Sequence, residues 1–194
     1  MREVTFDPEG HVYRIDGDVV PSVTQILKAG GLIGDWGGRY PEAAARGTLV
    51  HRLCEELDTY GDTLADTEGV EGYLAAYRDF IKAQGVVSWE AVEAVVAGDG
   101  WAGQVDRVGE VGGRVMVIDI KTGSAASWHK AQLWAYREAF ELRPFTPGRM
   151  PLAALYLKAD GRYSLKVVSP REEEEAARMW GGAWAKYNSR PGID

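Results

Sequence analysis

A glycine pair midway between two β-rich runs constrains the fold of this chain most strongly. Trp101–Val111 and Arg114–Lys121 flank Gly112-Gly113. A two-residue Gly-Gly connection between such runs is a strong hairpin signal, because the favoured turn needs positive φ at both positions. Counting away from the turn places Asp106 opposite Asp119. The sequence therefore predicts an antiparallel hairpin whose cross-strand pairs can be assigned.

The two opposed aspartates predict a cation site. Directly opposed residues have β-carbons roughly 4.5–5.5 Å apart on one face, and Lys121, two residues after Asp119, returns to that face. Two carboxylates so close are destabilising unless a cation lies between them. The alternative is a pair of exposed strand acids with Lys121 as their ion-pair partner. Strand 115–120 looks buried on both faces, which favours the metal site.

This arrangement indicates phosphodiester cleavage. Mg²⁺ favours one or two protein carboxylates, with water and substrate phosphate oxygens completing its shell. A bound divalent metal lowers the pKa of water and offsets charge on a scissile phosphate. A lysine beside it, here Lys121, is suited to orient or deprotonate the attacking water, or to stabilise the developing charge.

Composition restricts the alternatives. A chain of 194 residues suits one domain, residues 1–194, with a substantial core. Its one cysteine, Cys54, excludes an internal disulfide and any multi-cysteine zinc or iron–sulfur site within the chain. No apolar run approaches the roughly 18 residues of a membrane span, and the N-terminus lacks a secretory apolar region. These features predict a cytoplasmic protein without a membrane partner.

The formal charge of −7 does not exclude nucleic acid as a partner. Residues 55–71 hold seven acidic residues and no Lys or Arg, so the remainder of the chain is formally neutral. Segments 39–52 and 121–143, which carry candidate site residues, are both locally basic. Phosphate contacts need such basic groups, so the charge distribution permits DNA binding.

Hydrophobic periodicity and turn signals predict a mixed α/β chain. Strands are expected at 3–6, 11–15, 92–96, 101–111, 114–121, 152–158 and 162–168. Helices are expected after a Ser22/Gln25 capping box and at 41–57, 70–84, 128–142 and 170–187, the fourth ending at Arg143-Pro144. Residues 31–41 are expected to form a glycine-rich loop. Residues 1–30 are interpreted as a decoration of a core spanning 41–187.

The site residues resemble the signature of the PD-(D/E)XK nuclease superfamily. The central motif is Gly103-x-x-Asp106 followed by Asp119-x-Lys121-Thr122-Gly123. Three further segments match the RecB-like branch, which includes phage-type and CRISPR-associated exonucleases, in chain order: Pro21-Ser22-Val23-Thr24-x-Ile26-Leu27, Arg46-Gly47-Thr48-x-x-His51 and Gln132-x-x-x-Tyr136. Each is weak alone, but their order and spacing make the resemblance specific over about residues 20–140.

The resemblance implies a restriction-endonuclease-like αβββαβ core with helices flanking a mixed sheet. It implies that His51, Asp106, Asp119 and the backbone carbonyl of Ile120 bind one or two Mg²⁺ or Mn²⁺ ions. It makes Lys121 the catalytic lysine, with Gln132 and Tyr136 arranging the site or contacting DNA. CRISPR-associated relatives usually carry a four-cysteine iron–sulfur cluster, which this chain cannot supply.

Several of these residues also have structural interpretations. A lone helical His51 is commonly a surface or core residue, and Gln132 with Tyr136 fits the edge of an amphipathic helix. Glu55 and Glu93 are candidate supporting acids; Glu55 also begins the acidic run. The residues expected to contact DNA are Arg46, Thr122, Trp128 and Lys130. Arg46 is equally suited to pair with local carboxylates, and core packing is favoured over base stacking for Trp128 and Trp134.

The sequence thus predicts a metal-dependent deoxyribonuclease, expected to be an exonuclease in recombination, repair or phage replication, in the cytoplasm of a bacterium or phage-infected host. One alternative is a structure-specific endonuclease. Another is a catalytically silent DNA-binding or assembly subunit, which would be expected to lose Asp106, Asp119 or Lys121. A homo-oligomer or a partner helicase is an expected source of processivity.

Overall fold

Three short strands open the chain: β1 (Val4–Asp7), β2 (Val12–Ile15) and β3 (Asp18–Val20). The structure, a computed structural model, describes residues 2–34, 41–141 and 149–190. The three strands form an antiparallel sheet in the order β1-β2-β3. The first two strands were predicted. The third was not, although Asp16 and Gly17 supply the two positive φ angles, 51° and 94°, of a tight turn.

Three helices follow this sheet. The first, α1 (Val23–Ala29), begins with the predicted capping box, in which Ser22 and Gln25 each accept the other's backbone N–H. The second, α2 (Pro41–Tyr60), begins where predicted and ends three residues later than expected. The third, α3 (Glu71–Gln84), ends at Gly85, whose φ of 63° suits a helix terminus. Residues 35–40 of the expected glycine-rich loop lie outside the described residues.

The central sheet has five strands in sequence order: β4 (Trp89–Ala97), β5 (Ala102–Val111), β6 (Arg114–Lys121), β7 (Leu152–Leu157) and β8 (Tyr163–Val167). Only β6 and β7 are parallel among these neighbours, and α4 (His129–Glu141) lies between them in sequence, as a parallel crossover requires. The predicted β5–β6 register is confirmed, from Val111 opposite Arg114 onward. The expected end of this helix at 142–144 lies outside the described residues.

Two helical layers enclose the sheet. α2 and α3 pack against one face, whereas α1, α4 and α5 (Pro170–Asn188) pack against the other. Residues 116–120 of β6 are buried, as expected for a strand covered on both faces. The element order confirms the predicted αβββαβ core and the mixed α/β class. None of the helices in the described parts of the chain has the length and apolar composition needed to cross a bilayer.

Candidate metal and catalytic site

The site lies where the β5–β6 hairpin opens. The last pair of this ladder is Arg107 with Ile118, so Asp106 and Asp119 are the first opposed residues beyond it. The Oδ2 atom of Asp106 accepts the N–H of Ile120 at 2.6 Å. A carboxylate thus satisfies a strand amide at the point where regular strand pairing ends. This bond fixes the Asp106 side chain, because both partners are buried.

Three side chains converge beside this opening and form what we call the metal-ligand cluster: His51, Glu93 and Asp106. They come from α2, β4 and β5 respectively, and one ligand atom of each lies within 4.8 Å of the other two. His51 Nδ1 lies 3.6 Å from both Glu93 Oε1 and Asp106 Oδ2. A nitrogen and two carboxylate oxygens at this spacing form a donor set suited to one divalent cation.

The orientation of His51 leaves the correct ring nitrogen for a metal. Its Nε2 lies 2.9 Å from the carbonyl oxygen of Ile120. Because a carbonyl can only accept, Nε2 carries the proton in this bond and Nδ1 faces the two carboxylates. The same oxygen was predicted to be a metal ligand; its second lone pair allows one further partner. A metal-binding histidine is commonly oriented by such a bond from its other nitrogen.

The charge on His51 reflects the acids around it. Burial alone would lower the pKa of this imidazole, but the negative charges of Asp106 and Glu93 outweigh burial and raise it to about 9. The two carboxylates therefore stabilise a positive charge between them at neutral pH. A divalent cation bound by these atoms would take the place of that proton, because it requires the neutral imidazole.

Glu93 has an unusual backbone conformation and lies opposite Asp106 in the sheet. It lies between the pairs Val92–Arg107 and Ala94–Val105, hence opposite Asp106 in the β4–β5 register. Its φ of 43° is unusual for a residue other than glycine. The sequence marked Glu93 only as a possible support, because a strand pattern gives no sign of this backbone conformation.

A buried arginine stands behind the metal-ligand cluster. Arg107 Nη1 donates to Glu93 at 2.9 Å, and its Nε donates to Asp58 at 2.6 Å. Tyr77 also donates to Asp58, at 2.7 Å. Burial would lower the pKa of Arg107, but Asp58, Glu93 and the neighbouring Tyr77 raise it, so the guanidinium stays charged. The sequence analysis missed this group; an arginine directly after Asp106 in a predicted strand was the available signal.

On the other side of the opening lie four residues that we call the lysine cluster: Asp119, Lys121, Gln132 and Tyr136. Lys121 Nζ lies 2.7 Å from Asp119 Oδ2 and donates to Gln132 Oε1 at 3.0 Å. Gln132 Nε2 in turn donates to the Tyr136 hydroxyl at 2.9 Å. The chain of contacts holds the lysine head group in one place and joins β6 to α4.

The Asp119 carboxylate is the exception within this cluster. Its Oδ2 is buried and has no hydrogen-bond partner among the described residues, because the close contact with Lys121 lacks hydrogen-bond angles. Burial raises the pKa of Asp119, Asp106 raises it further, and Lys121 opposes both. A buried carboxylate oxygen without a hydrogen bond is costly, and a metal ion would satisfy it.

Gly103 explains how α4 comes so close to the sheet. A β-carbon at this position would lie 2.7 Å from Tyr136 Cε1 and 3.1 Å from Val23 Cγ2. Both contacts are shorter than ordinary van der Waals distances, so a larger residue would push Tyr136 away. The glycine in the Gly103-x-x-Asp106 motif thus has a packing role beside the site.

Both clusters line one cavity of about 620 Å³. Its wall also includes Glu55, which is exposed, and Arg52, which pairs with Glu56 at 3.0 Å. Residues from β1, β2 and the start of α1 complete the wall. The cavity brings together every residue predicted to bind metal through its side chain, and both predicted supporting acids.

Two residues predicted to contact DNA, Arg46 and Lys130, do not line this cavity and have partners of their own. Arg46 lies over the ring of Tyr73, 5.8 Å from its centroid, and its buried Nε has no hydrogen-bond partner among the described residues. Lys130 forms an ion pair with Glu175 at 2.7 Å. Their predicted DNA contacts stay predictions.

Thr122 and the two tryptophans have clear packing surroundings. Thr122 lies where α2 approaches the end of β6, since a β-carbon at Gly47 would be 3.7 Å from its hydroxyl. Lys121 Nζ lies 5.6 Å from the centre of a Trp128 ring. Trp134 packs against the core and carries Arg137 and Arg149 over its rings. This placement agrees with the core-packing interpretation of Trp134.

His129 is a second residue that sequence reasoning missed. Its Nδ1 accepts the N–H of Ala126 at 3.4 Å and lies 2.8 Å from the Tyr156 hydroxyl. Because a backbone N–H can only donate, Nδ1 is the unprotonated nitrogen. Burial lowers the pKa of this imidazole to about 4, with a further contribution from the charge of Lys121 that outweighs Asp119. The ring is therefore neutral behind the lysine cluster.

An open hairpin with converging acids, a histidine and a lysine is the arrangement expected at the site of a metal-dependent nuclease. A sequence model of the PD-(D/E)XK nuclease superfamily matches residues 66–187, more than half of the chain. The chain therefore belongs to the PD-(D/E)XK nuclease superfamily, whose members use divalent metals. The matched range contains Glu93, Asp106 and Lys121 and begins after His51. Comparison with curated proteins gives no match.

Proposed function

We propose that this protein is a divalent-metal-dependent deoxyribonuclease, an exonuclease of the RecB-like, phage-type branch that acts in recombination, repair or phage replication. One observation carries the proposal. His51, Glu93 and Asp106 converge in the cavity that also contains Asp119 and Lys121, in a chain of the nuclease superfamily. These residues combine metal ligands with a positioned cation, as phosphodiester hydrolysis requires.

The residues present fit a bound Mg²⁺ or Mn²⁺ ion. The metal-ligand cluster offers one nitrogen and two carboxylates, and Asp119 Oδ2, which is paired with Lys121 but accepts no hydrogen bond among the described residues, adds an oxygen from the other side. A nitrogen ligand favours Mn²⁺ over Mg²⁺. When bound, a divalent cation supplies Lewis-acid stabilisation of the phosphate and a more acidic water. The protein contributes the placement of its ligands.

Lys121 is suited to act on the attacking water or on the phosphate. Asp119 and Gln132 hold its ammonium group from two sides, so the group does not reorganise when charge develops. Burial raises the pKa of Tyr136 well above 10, so its hydroxyl stays neutral and its role is to orient Gln132. The lysine cluster thus preorganises one donor beside the reacting phosphate.

DNA as the substrate is supported by the motif order and by local charge. The segment from Arg46 to His51 and the pair Gln132–Tyr136 match the RecB-like pattern in chain order. The segments that carry them are locally basic, although the whole chain is acidic. We expect a second copy of this chain or a helicase partner to supply processivity.

Cleavage of end-labelled linear duplex DNA with Mg²⁺ or Mn²⁺ tests the proposal. We expect short products released from one end, no products in EDTA, and strongly reduced cleavage by Asp119→Ala and by Lys121→Ala. Lys158→Ala, at an exposed lysine outside the cavity, is the matched control and should cleave normally. Equal activity in the Lys121→Ala variant would overturn the catalytic assignment. Cutting of covalently closed circular DNA would replace the exonuclease by an endonuclease.

A further inference from the structure

The N-terminal sheet contributes an aromatic wall to the catalytic cavity. Phe6, His11 and Tyr13 line the same cavity as Asp106 and Lys121. β1 packs against β4 and β2 against β5, the strands that carry Glu93 and Asp106. The sheet is thus placed beside the candidate metal site rather than at a distance from it. We call these three residues the aromatic wall.

The three rings are arranged against one another. Phe6 and Tyr13 are directly paired across β1 and β2, and their rings stack with centroids 4.5 Å apart and an interplanar angle of 22°. His11 meets both rings edge-on, with centroids 5.4 Å from Phe6 and 5.6 Å from Tyr13. Tyr13 is buried, Phe6 is half-buried and His11 is exposed. Tyr13 is therefore the buried part of the aromatic wall, and His11 is its exposed part.

The connection between β1 and β2 holds His11 in an unusual conformation. Asp7 Oδ1 accepts the N–H groups of Glu9 and Gly10 at 3.0 and 3.3 Å, which fixes the turn. His11 then adopts a φ of 48°, in the left-handed region that few side chains favour. The conformation places an exposed imidazole at the cavity.

An aromatic cross-strand pair has a structural explanation, since such pairs stabilise small sheets. That explanation accounts for Tyr13, which is buried, but leaves the exposure of His11 and the partial exposure of Phe6 without a role. Both residues border a cavity whose other wall consists of acids, a lysine and a histidine. A divalent cation held by those acids, together with Lys121, would bind an anionic group, and the aromatic wall would bind a flat apolar one. A nucleotide has both.

We propose that the aromatic wall is a subsite that stacks an unpaired nucleobase adjacent to the scissile phosphate. The inference rests on the proposed nuclease function and assigns the substrate class more narrowly, as a DNA end whose terminal bases are unpaired. A base can stack on an aromatic ring only when its own face is free, so a paired end must fray before it enters. Because every base can stack on an aromatic ring, the subsite should favour unpaired ends over paired ends without discriminating between sequences.

The electrostatics of Tyr13 agree with this placement. Burial raises the pKa of the Tyr13 hydroxyl to about 12, and the negative charge of Glu93 contributes to the rise. The phenol therefore remains neutral at every pH at which a nuclease would work. A neutral Tyr13 adds no charge to the part of the cavity that we propose binds the base.

Fluorescence of 2-aminopurine tests the subsite without requiring cleavage. The probe is a DNA duplex with a three-nucleotide unpaired end whose last base is 2-aminopurine, mixed with the full chain in EDTA. We expect the wild type to quench the probe, and we expect Phe6→Leu and His11→Ala to weaken its binding by roughly 5- to 150-fold, the range for one base stacked on one ring. Phe6→Leu keeps an apolar side chain beside Tyr13, so its effect does not depend on unfolding.

Two further measurements complete the test. With Mn²⁺, both variants should raise KM for the unpaired-end substrate by a similar factor and leave kcat unchanged. Tyr60→Ala removes an exposed aromatic ring outside the cavity and should change neither quantity. Wild-type quenching and KM in both Phe6→Leu and His11→Ala would overturn the subsite while leaving the nuclease intact. Quenching that depends on Phe6, in a wild type that cleaves no DNA, would support the subsite and reject the nuclease.

Discussion

The metal-ligand cluster and the lysine cluster face one another across the same cavity, yet they are built differently. The lysine cluster comes from two elements adjacent in sequence, β6 and α4, and its polar groups mostly satisfy one another. The metal-ligand cluster gathers side chains from α2, β4 and β5, and the charged partners of its two acids are a protonated histidine and an arginine. The lysine cluster is suited to act on a reacting group, and the metal-ligand cluster is suited to bind a cation.

A different buried residue lies behind each of the two clusters. Behind the metal-ligand cluster, the buried Arg107 links Glu93 to Asp58. Behind the lysine cluster, the neutral His129 avoids a second positive charge near Lys121. Substitutions on the two sides should therefore separate metal binding from catalysis.

The largest effect is expected for Arg107→Met. The substitution leaves Asp58 and Glu93 buried without their cation, and removal of one partner from a buried ion pair typically lowers the free energy of unfolding by about 3–5 kcal/mol. Urea denaturation of the metal-free protein measures this loss. Arg162→Met, which removes an exposed arginine paired with Asp160, is the control and should leave the free energy of unfolding nearly unchanged. Equal losses in the two variants would show that Arg107 does not stabilise the folded protein by neutralising Asp58 and Glu93.

Asp106→Asn should abolish the function of the metal-ligand cluster. The amide keeps the size of the side chain but removes a ligand charge. We expect the Kd for Mn²⁺, measured by calorimetry, to rise at least about 10-fold, and cleavage to fall by about 10²–10³-fold. Asp160→Asn, outside the cavity, is the matched control. Unchanged Mn²⁺ affinity in the Asp106→Asn variant would mean that the cation binds elsewhere.

Lys121→Ala should give the opposite combination. We expect kcat to fall by about 10²-fold, because a preorganised donor is lost, while affinity for Mn²⁺ does not decrease. The variant removes a positive charge beside Asp119, so metal affinity has no reason to weaken. Kinetics and calorimetry on the same preparation separate the two quantities. Loss of Mn²⁺ binding together with activity would contradict this separation, because it would show that Lys121 also supports metal binding.

The lowered pKa of His129, behind the lysine cluster, predicts that the free energy of unfolding depends on pH. Its pKa is about 4 when folded, against about 6.5 when unfolded. The unfolded chain therefore binds the extra proton between these values, and stability falls as pH drops from 6.5 toward 4. We expect this group to contribute about 1–2 kcal/mol to the loss. His129→Gln should lose less stability than the wild type between pH 7 and 4.5; parallel curves would contradict the assignment.

The smallest effect is expected for Tyr136→Phe. The variant removes only the hydroxyl that accepts a hydrogen bond from Gln132, worth about 0.5–1.5 kcal/mol. This loss corresponds to a decrease in kcat of roughly 2- to 10-fold, with metal affinity unchanged. Steady-state cleavage rates provide the measurement, and Tyr60→Phe is the control. A rate equal to that of the wild type would leave Gln132 positioned by Lys121 alone.

The sequence predicted the local parts of this molecule well. The Gly112-Gly113 turn fixed the β5–β6 register, and the Ser22/Gln25 capping box marked the start of α1. The candidate lysine cluster was also accessible, because its members lie within a hairpin and the next helix. Superfamily membership is confirmed, whereas the RecB-like branch remains a prediction.

What the sequence did not supply depends on contacts between distant segments. Arg107 contacts Asp58, 49 residues away, and nothing in the acidic run distinguished that aspartate from its neighbours. Glu93 was only a possible support, because its backbone conformation and its place opposite Asp106 follow from β4–β5 pairing. The N-terminal sheet was interpreted as a decoration, since no periodicity shows that Phe6 and Tyr13 line the cavity.

Electron paramagnetic resonance of the Mn²⁺-loaded protein tests the central claim most directly. If His51 Nδ1 binds the cation together with Glu93 and Asp106, the spectrum should show coupling between Mn²⁺ and one imidazole ¹⁴N nucleus. That coupling should disappear in His51→Gln and persist in His129→Gln. Bound Mn²⁺ with no nitrogen coupling in the wild type, or with coupling that survives in His51→Gln, would contradict the proposed cation site.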